Sequence, residues 1–420
     1  MNEDAYVARN LRDSIKYRDI HKVPQFKNKD VIFSMSRESA RLINRNLIWR
    51  DSIDKINVKG KAAWTVKNPK AFLAQKLLIN NLKKNYFARS NDRKFIIDLI
   101  VSHLKDSYSY CIHRFDIKSF YESFDRKEII NKVKNDSVLS RKTIKILESL
   151  FDELNSLGVY GLPRGMGISS ALSELMMAEF DERVNSLEGV LFYARFVDDI
   201  LIISAPSLSK NSLKQSIEIF GLPNQLVFHN TGDKNFFSPV SKTVNASKET
   251  IKFDFLGYEF HIKKVDNEHG DALTFKRRDV NVLIAPSKVK KIKNRILKSF
   301  FAVLSSQRAT EQDVSLLNKR IMFLSKNYLL PNSPQESKIY SGIYHNYSFV
   351  DNTDQLKEID LFYRSLLFGN STRLNKRIRR SLCFNTRKGL GNHSFLRGFE
   401  EREFCRLTNA DYKEIKKAWG

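Results

Sequence analysis

Two adjacent carboxylates, Asp198 and Asp199, lie inside an otherwise apolar stretch, residues 191–204 (LFYARFVDDILIIS). The β-branched and aromatic residues on both sides predict two strands of a hairpin, with the acids at or next to its tip. A purely structural hairpin would favour Asn-Gly or Asp-Gly at that turn. Adjacent carboxylates at the end of a buried sheet repel each other and lose solvation, so we expect a cation to compensate them. An isolated Asp-Asp pair is more often a solvated turn, so the hypothesis depends on the sequence upstream.

A third carboxylate, Asp116, ends a predicted short strand (YCIHRFD) 82 residues before Asp198. Nucleotidyl transfer on a nucleic acid uses two divalent cations roughly 3.5–4 Å apart, and Mg²⁺ takes one or two carboxylates together with substrate phosphates. Asp116 and Asp198 on neighbouring strands would supply these ligands, and Asp199 would be close enough to change the electrostatic field at the metals. The alternative role of Asp116 is a helix N-cap before IKSFYESF. Asp125, which precedes a basic helical run, is interpreted as such a cap.

The composition indicates a polyanionic partner. The chain has 420 residues, enough for two or three packed units, and 72 Lys and Arg against 47 Asp and Glu give a net charge of +25. Such an excess favours nucleic acid, with an anionic membrane surface as the alternative. We expect no membrane span, because there is no apolar run of about 18 residues. A charged N-terminus and three scattered cysteines suggest a cytoplasmic protein.

The elements that would position the acids follow from periodicity and turn residues. Helices are predicted after Ser36 or Ser39, over residues 68–84, 93–105, 127–157 and 169–185, and from residue 287 onward. Strands are predicted over residues 110–116, 225–229 and 251–261. Residues 158–167 contain four glycines and a proline and must form a loop. A second loop is predicted at residues 331–334.

Four motifs, in this order and spacing, resemble the palm motifs of reverse transcriptases: RFDIKSFYESF, GLPRGMGISSALSELMMAEFD, YARFVDDILI and FDFLGYEF. The resemblance covers roughly residues 85–262 and is closest to the bacterial antiphage, abortive-infection and defence-associated branch, which is related to retron and group II intron enzymes. It implies an α+β right-hand polymerase with fingers, a ferredoxin-like antiparallel palm and a helical thumb. The corresponding ranges are residues 1–110 for the N-terminal region and fingers, 111–262 for the palm with a finger insertion at about 122–160, 263–330 for the thumb, and 331–420 for a basic helical C-terminal region.

The same resemblance implies roles for individual residues. The metal ligands and catalytic acids fall on Asp116, Asp198 and Asp199, with the backbone carbonyl of Ile117 as a further ligand, for two Mg²⁺ ions that Mn²⁺ could replace. The implied nucleotide-binding residues are Tyr121, Arg93, Arg164, Gly165 and Lys234. The implied primer or template residues are Gly257, Tyr258 and Arg195.

Several of these roles have structural alternatives. The ring of Tyr121 would exclude a ribose 2′-hydroxyl, or it would be an ordinary core aromatic. Arg164 stands where most reverse transcriptases have glutamine, and arginine would bind a phosphate or stack on a base instead. Lys234 matches the lysine that protonates pyrophosphate, or it is solvated. Arg93 could be a surface arginine, and Arg195 is expected to be structural or to touch the primer.

The resemblance therefore implies an RNA-directed DNA polymerase of antiviral defence that uses deoxynucleoside triphosphates and copies a cognate non-coding RNA into DNA. Two alternatives remain open: template-independent or protein-primed DNA synthesis, and a catalytically silent RNA-binding scaffold. Further copies of this chain, as an oligomer, or a second defence protein are also expected as possible partners. The basic residues 287–301 and 373–389 are expected to bind nucleic-acid backbone, and the sequence contains no ribonuclease H pattern.

Overall fold

The computed structural model describes residues 2–58, 60–86, 92–223, 226–230, 234–241, 250–263, 278–304, 309–330 and 338–419. The chain divides into two compact units, Met1–Val244 and Asn245–Gly420. The boundary between them falls inside the range predicted for the palm. The predicted loop at 331–334 and part of the predicted strand at 225–229 lie outside the described residues.

The first unit begins with three α-helices, and its first strands follow the third of them. Its described helices are α1 (Ala8–Asp13), α2 (Tyr17–Lys22), α3 (Lys29–Asn44), α4 (Pro69–Tyr86), α5 (Arg93–Leu104), α6 (Arg126–Asp136), α7 (Arg141–Ser156), α8 (Gly167–Asn185) and α9 (Lys210–Phe220). Side-chain caps define several of the starts, and Asp125 caps α6 by accepting a bond from Lys127 N at 2.8 Å, as predicted.

Two helix boundaries differ from the predictions. The predicted start of α3 was wrong. The helix begins at Lys29 because the Asn28 side chain caps it, and Ser36 and Ser39 lie within the helix. The helical stretch predicted over residues 127–157 contains two helices, α6 and α7. Ser137 adopts a left-handed conformation between them (φ 54°), which ends α6.

Four strands of the first unit form one antiparallel sheet in the order β4-β5-β3-β6. The strands are β3 (Tyr110–Asp116), β4 (Val190–Phe196), β5 (Asp199–Ser204) and β6 (Asn235–Val240). With α8 between β3 and β4 and α9 between β5 and β6, the connections follow the βαββαβ pattern of ferredoxin-like sheets. The strand predicted over residues 110–116 and the hairpin around Asp198 are confirmed. A second hairpin, β1 (Ile53–Val58) and β2 (Lys61–Val66), was not predicted.

One core supports this sheet from the helical side. Apolar residues of α4, α6, α7 and α8 pack with the inward residues of β3 and β5 in a single buried cluster. β5 is apolar along nearly its whole length (DILIIS) and is buried from its second residue. The acid at its start is therefore held by a strand that cannot shift without exposing Ile200 and Ile202.

The second unit has a three-stranded antiparallel sheet, β7 (Ile251–Phe255), β8 (Tyr258–Ile262) and β9 (Val280–Ile284). The strand predicted over residues 251–261 is a hairpin, because Leu256 and Gly257 both have positive φ and form a two-residue turn. Two short strands, β10 (Asn327–Leu329) and β11 (Tyr340–Gly342), also pair. The described helices are α10 (Pro286–Val303), α11 (Glu311–Ser325), α12 (Ile343–Asn346), α13 (Asp354–Phe368), α14 (Arg373–Ser381), α15 (Phe384–Leu390), α16 (Phe395–Glu400) and α17 (Asn409–Lys417).

None of the helices in the described ranges combines the length and apolar composition needed to cross a membrane. All three cysteines are free thiols: Cys111 and Cys405 are buried, and Cys383 is exposed.

Candidate active site

The three predicted acids meet at one end of the first unit's sheet. Asp116, the last residue of β3, pairs across the strands with Asp199, the first residue of β5. Directly paired residues share a face of the sheet, so their side chains are neighbours. Asp198 occupies the two-residue turn with Val197, and its carbonyl accepts a bond from Ile117 N at 3.1 Å. The backbone immediately after Asp116 is thus bonded to the turn that carries Asp198.

The turn itself is strained. Val197 has φ 63°, a conformation that is an outlier for a β-branched residue. Such a residue costs about 1–3 kcal/mol and persists only when its surroundings hold it. Arg195 Nη1 donates to the Val197 carbonyl at 3.1 Å and supplies part of that support.

Arg195 is anchored on α8 rather than exposed to solvent. Its side chain is 4% exposed. Its guanidinium donates to Asp181 at 2.8 and 2.7 Å and to Glu174 at 3.2 and 2.6 Å, and Tyr193 also donates to Asp181. These partners raise the pKa of Arg195 despite its burial. Of the two roles expected for Arg195, this geometry supports the structural one.

The carboxylates at the sheet end are crowded and partly compensated. Burial raises the pKa of Asp198, and Asp199 and Asp116 raise it further, while backbone bonds and Lys234 lower it. Lys234 Nζ donates to Asp116 Oδ1 at 2.8 Å. His229 Nε2 lies 3.1 Å from the same oxygen and 3.3 Å from Lys234 Nζ. Lys234, which sequence alone left open as a solvated lysine, therefore contacts Asp116.

The carboxylate oxygens at this edge of the sheet suit a divalent cation such as Mg²⁺, which binds together with the phosphates of its substrate. Within the described ranges, no three His, Cys, Asp or Glu side chains converge as a ready-made metal cage. Mg²⁺ does not require one, since it takes one or two carboxylates and completes its shell with water and phosphate. Burial is the largest cause of the raised pKa of Asp198, and the neighbouring Asp199 and Asp116 add to it, so a bound cation would stabilise the ionised form of this carboxyl group. Cationic side chains already contact two of the acids: Arg114 Nη2 donates to Asp199 Oδ1 at 3.2 Å, and Lys234 Nζ donates to Asp116 Oδ1 at 2.8 Å.

The glycine-rich loop before α8 is folded tightly against its neighbours. Gly161 has φ 60°, and a Cβ there would lie 2.4 Å from the Glu122 carbonyl oxygen. Gly165 has φ 91°, and a Cβ there would lie 2.7 Å from the Trp64 carbonyl oxygen in β2. Only glycine suits both positions. The β1–β2 hairpin and the loop are therefore held in fixed contact.

Arg164 is held in place at both its backbone and its side chain. Its carbonyl accepts a bond from Trp64 N at 2.7 Å. Its guanidinium makes a bidentate ion pair with Glu122, with Nη2 3.0 Å from Oε2 and Nε bonded to Oε1. This pairing with Glu122 raises the pKa of Arg164.

Tyr121 lies on the short 3₁₀ turn Tyr121–Ser123 that follows β3. Its backbone carbonyl accepts from Leu162 N at 2.7 Å, which ties this turn to the glycine-rich loop. The ring is partly buried against the core. Burial raises the pKa of its hydroxyl, and the nearby carboxylates Glu174 and Asp198 raise it further. The Tyr121 hydroxyl therefore lies within electrostatic range of Asp198.

The remaining predicted residues are less closely tied to the acids. Arg93 is the first residue of α5, after the undescribed residues 87–91. In the second unit, the Gly257 carbonyl accepts a bond from Ala285 N at 3.1 Å. The Tyr258 ring is buried, and its hydroxyl donates to the Asn346 carbonyl. Because the Tyr258 side chain packs in the interior beneath the β7–β8 hairpin, a primer contact at this turn would involve backbone atoms.

Sequence reasoning missed several residues of the site. Arg114 precedes Asp116 by two positions and so shares its face of the strand, a signal that period-2 reasoning could have used. Glu174 and Asp181 are seven residues apart on α8, which places them on one helix face. His229 and Glu122 carry no such signal, because only tertiary folding brings them to Asp116 and Arg164.

A comparison with protein families agrees with this geometry. Residues 67–260, just under half of the chain, match the family described as reverse transcriptase (RNA-dependent DNA polymerase). The matched range contains all three acids, the glycine-rich loop and the turn at Gly257. A search of curated proteins gave no match. The chain contains a reverse transcriptase domain, and the protein is accordingly an enzyme, an RNA-directed DNA polymerase of the nucleotidyltransferase class.

Proposed function

We propose that this polymerase extends a primer 3′ end on an RNA template at the sheet edge formed by Asp116, Asp198 and Asp199. The observation that carries the proposal is the pairing of Asp116 with Asp199, together with the bond from Ile117 N to the Asp198 carbonyl. Asp116 and Asp198 would hold two Mg²⁺ ions, which Mn²⁺ could replace, with Asp199 as the second acid and the Ile117 carbonyl as a further ligand. When bound, such ions stabilise the charge that develops on the attacking and leaving oxygens.

The protein's own groups then have separate tasks. The primer 3′-hydroxyl loses its proton to solvent, its oxygen attacks the α-phosphorus of a deoxynucleoside triphosphate, and the bond between the α-phosphorus and pyrophosphate breaks. Lys234 would donate a proton to the departing pyrophosphate after leaving Asp116, to which it is bonded at 2.8 Å. Arg164 would meet the nucleotide by exchanging its pairing with Glu122 for a phosphate or a base.

Sugar selection and substrate grip are assigned to residues around the same loop. The Tyr121 ring, fixed through its backbone to Leu162, would lie beneath the sugar and exclude a 2′-hydroxyl. Gly165 would allow the backbone to approach the nascent base pair, and Arg93 would contact the triphosphate. In this proposal the βαββαβ sheet is the palm, the preceding helices and the β1–β2 hairpin belong to the fingers, and residues 263–330 form the thumb.

We further propose that the template is a cognate non-coding RNA and that the DNA product serves antiviral defence. Support for this comes from the net charge of +25 and from the resemblance of the four motifs to defence-associated enzymes. Template-free or protein-primed synthesis is the second candidate, since it would use the same acids. The silent scaffold is disfavoured by the intact set of three acids.

The test is labelled deoxynucleotide incorporation by the purified protein in Mg²⁺, with and without RNase pretreatment. Asp198→Asn should reduce incorporation by at least a thousandfold, because it removes one of the paired charges. Asp125→Asn makes the same chemical change at a helix cap, where asparagine is equally favourable, and should leave activity intact. Equal inactivity of wild type and Asp198→Asn, with copurified RNA present, would support the scaffold. Synthesis that survives RNase would support the template-free reaction.

A further inference from the structure

A long segment of the second unit carries only positive charge. Residues 361–399 contain nine Lys and Arg residues and no Asp or Glu. The segment runs from the middle of α13 through α14 and α15 into α16. Because the segment has no acids of its own, it presents a positive potential to its surroundings, which favours an anionic ligand.

Some of these cations have structural partners. Arg377 donates to the Leu304 carbonyl at 3.0 Å, and Arg379 donates to the Phe368 carbonyl at 2.9 Å. Arg387 donates to the Leu367 carbonyl at 2.9 Å. These bonds satisfy carbonyl groups at the ends of α10 and α13. These bonds explain the positions of three arginines, and Arg397 pairs with Glu403 at 2.6 Å, which explains a fourth.

Three other cations form an exposed stripe on α14. Arg373, Lys376 and Arg380 are spaced three and four residues apart, which places them on one side of the helix over about 10 Å. All three are exposed. Across the described ranges, the hydrogen bonds and ion pairs include none from these side chains. They are therefore available to an external anion.

The stripe ends at a groove between α11 and the α14–α15 turn, with a volume of about 960 Å³. Arg379 and Arg380 line one part of it, and Leu382 and Leu390 supply apolar surface. Glu311 at the start of α11 is its one acidic lining residue. A groove that combines arginines with an apolar wall suits a ligand that is anionic at one end and flat and apolar at the other.

An exposed aromatic ring lies at the same turn. Phe384, the first residue of α15, is 61% exposed, and the Arg387 guanidinium lies 5.7 Å from its ring centroid. An exposed ring beside arginines is the arrangement on which single-stranded nucleic acids stack their bases. An acidic peptide would match the charges but would leave the ring without a comparable partner.

We propose that this groove of the second unit is a nucleic-acid site that binds single-stranded RNA, in addition to the RNA that the acids of the first unit would copy. Phosphates would contact Arg373, Lys376 and Arg380, and a base would occupy the groove or stack on Phe384. The site belongs to the second unit, and its occupancy requires neither a bound metal nor catalysis. It therefore stands even if the proposed chemistry at Asp198 fails.

Cys383 offers a local readout, because it lines the groove and is the exposed cysteine, whereas Cys111 and Cys405 are buried. A bond with Thr386 lowers the pKa of the Cys383 thiol, which favours alkylation. The experiment measures the rate of N-ethylmaleimide addition to Cys383 in the full chain by mass spectrometry, in EDTA. The probes are a 12-nucleotide oligouridylate, uridine monophosphate, inorganic phosphate and an oligoglutamate of matched charge.

Saturating oligouridylate should slow alkylation at least fivefold, and the other three probes should slow it less than twofold. Arg380→Glu should abolish the protection. Arg364→Glu is the matched control, because Arg364 is exposed in the same acid-free segment but does not line the groove. It should retain the protection. Asp198→Asn should also retain it, which separates this site from the polymerase chemistry.

Three results would overturn the proposal. The first is RNA that binds the chain by fluorescence anisotropy but gives no protection of Cys383. The second is equal loss of protection in Arg380→Glu and Arg364→Glu when both variants keep the wild-type circular dichroism. The third is equal protection by oligoglutamate or by uridine monophosphate, which would assign the groove to an acidic peptide or to a free nucleotide.

Discussion

Arg195 should position the turn formed by Val197 and Asp198, and its replacement by methionine tests this directly. Arg195→Met removes the shared cation of Glu174 and Asp181 and the donor to the Val197 carbonyl. The two carboxylates would stay partly buried, with side chains 13% and 28% exposed, and without their positive partner. Removing one member of a buried ion pair costs about 3–5 kcal/mol.

Urea unfolding followed by circular dichroism should therefore show a loss of about 3–5 kcal/mol in the free energy of unfolding of Arg195→Met. The matched control is Arg183→Met, which breaks an exposed pair with Glu179 on the same helix. Exposed pairs contribute about 0–1 kcal/mol, so this variant should unfold close to wild type.

A triple variant separates stability from positioning. Adding Glu174→Gln and Asp181→Asn to Arg195→Met removes the unpaired charges and should recover most of the lost stability. It should not recover polymerisation, because the bond to the Val197 carbonyl is still missing and the strained turn is free to relax. The inference would be refuted if the triple variant regained both stability and primer extension. It would also be refuted if Arg195→Met cost less than about 1 kcal/mol.

Three further outcomes are expected. Tyr121→Val should raise ribonucleotide over deoxynucleotide incorporation at least tenfold, about 1.4 kcal/mol, in single-nucleotide extension; an unchanged ratio would leave Tyr121 as a core aromatic. Gly161→Ala should unfold at lower urea, because its Cβ would clash with backbone and its φ is 60°, whereas Gly389→Ala, which has open space in α15, should not. Burial lowers the pKa of His113 to about 4, and Lys210 adds to the effect. The unfolded chain therefore binds more protons between about pH 6.5 and 4, and stability, complete above that window, should fall by about 3 kcal/mol on acidification. His113→Asn should flatten that pH dependence in urea titrations.

The sequence alone determined the features that have local causes. Residues 110–116 form a strand ending on Asp116, and Asp125 caps a helix, because side-chain alternation and capping act over a few residues. The hairpin around Asp198 followed from two apolar runs with an acidic step between them. The glycines at 161 and 165 marked a loop, although the backbones that exclude a Cβ there, Glu122 and Trp64, could not be read from the sequence.

Tertiary structure alone decided the partners of those residues. Lys234 and His229 reach Asp116 only because β6 pairs with β3 on the side opposite β5. The missed β1–β2 hairpin and the wrong start of α3 have a related cause, since short elements are stabilised by what they pack against as much as by their own residues. Arg195 is an example of a residue whose role the sequence could not decide. Its type and position suggested two roles, and only the packing of α8 against β4 placed two carboxylates around it. Long-range contacts of this kind carry no local signal, because the residues that make them are distant along the chain and adjacent only after folding.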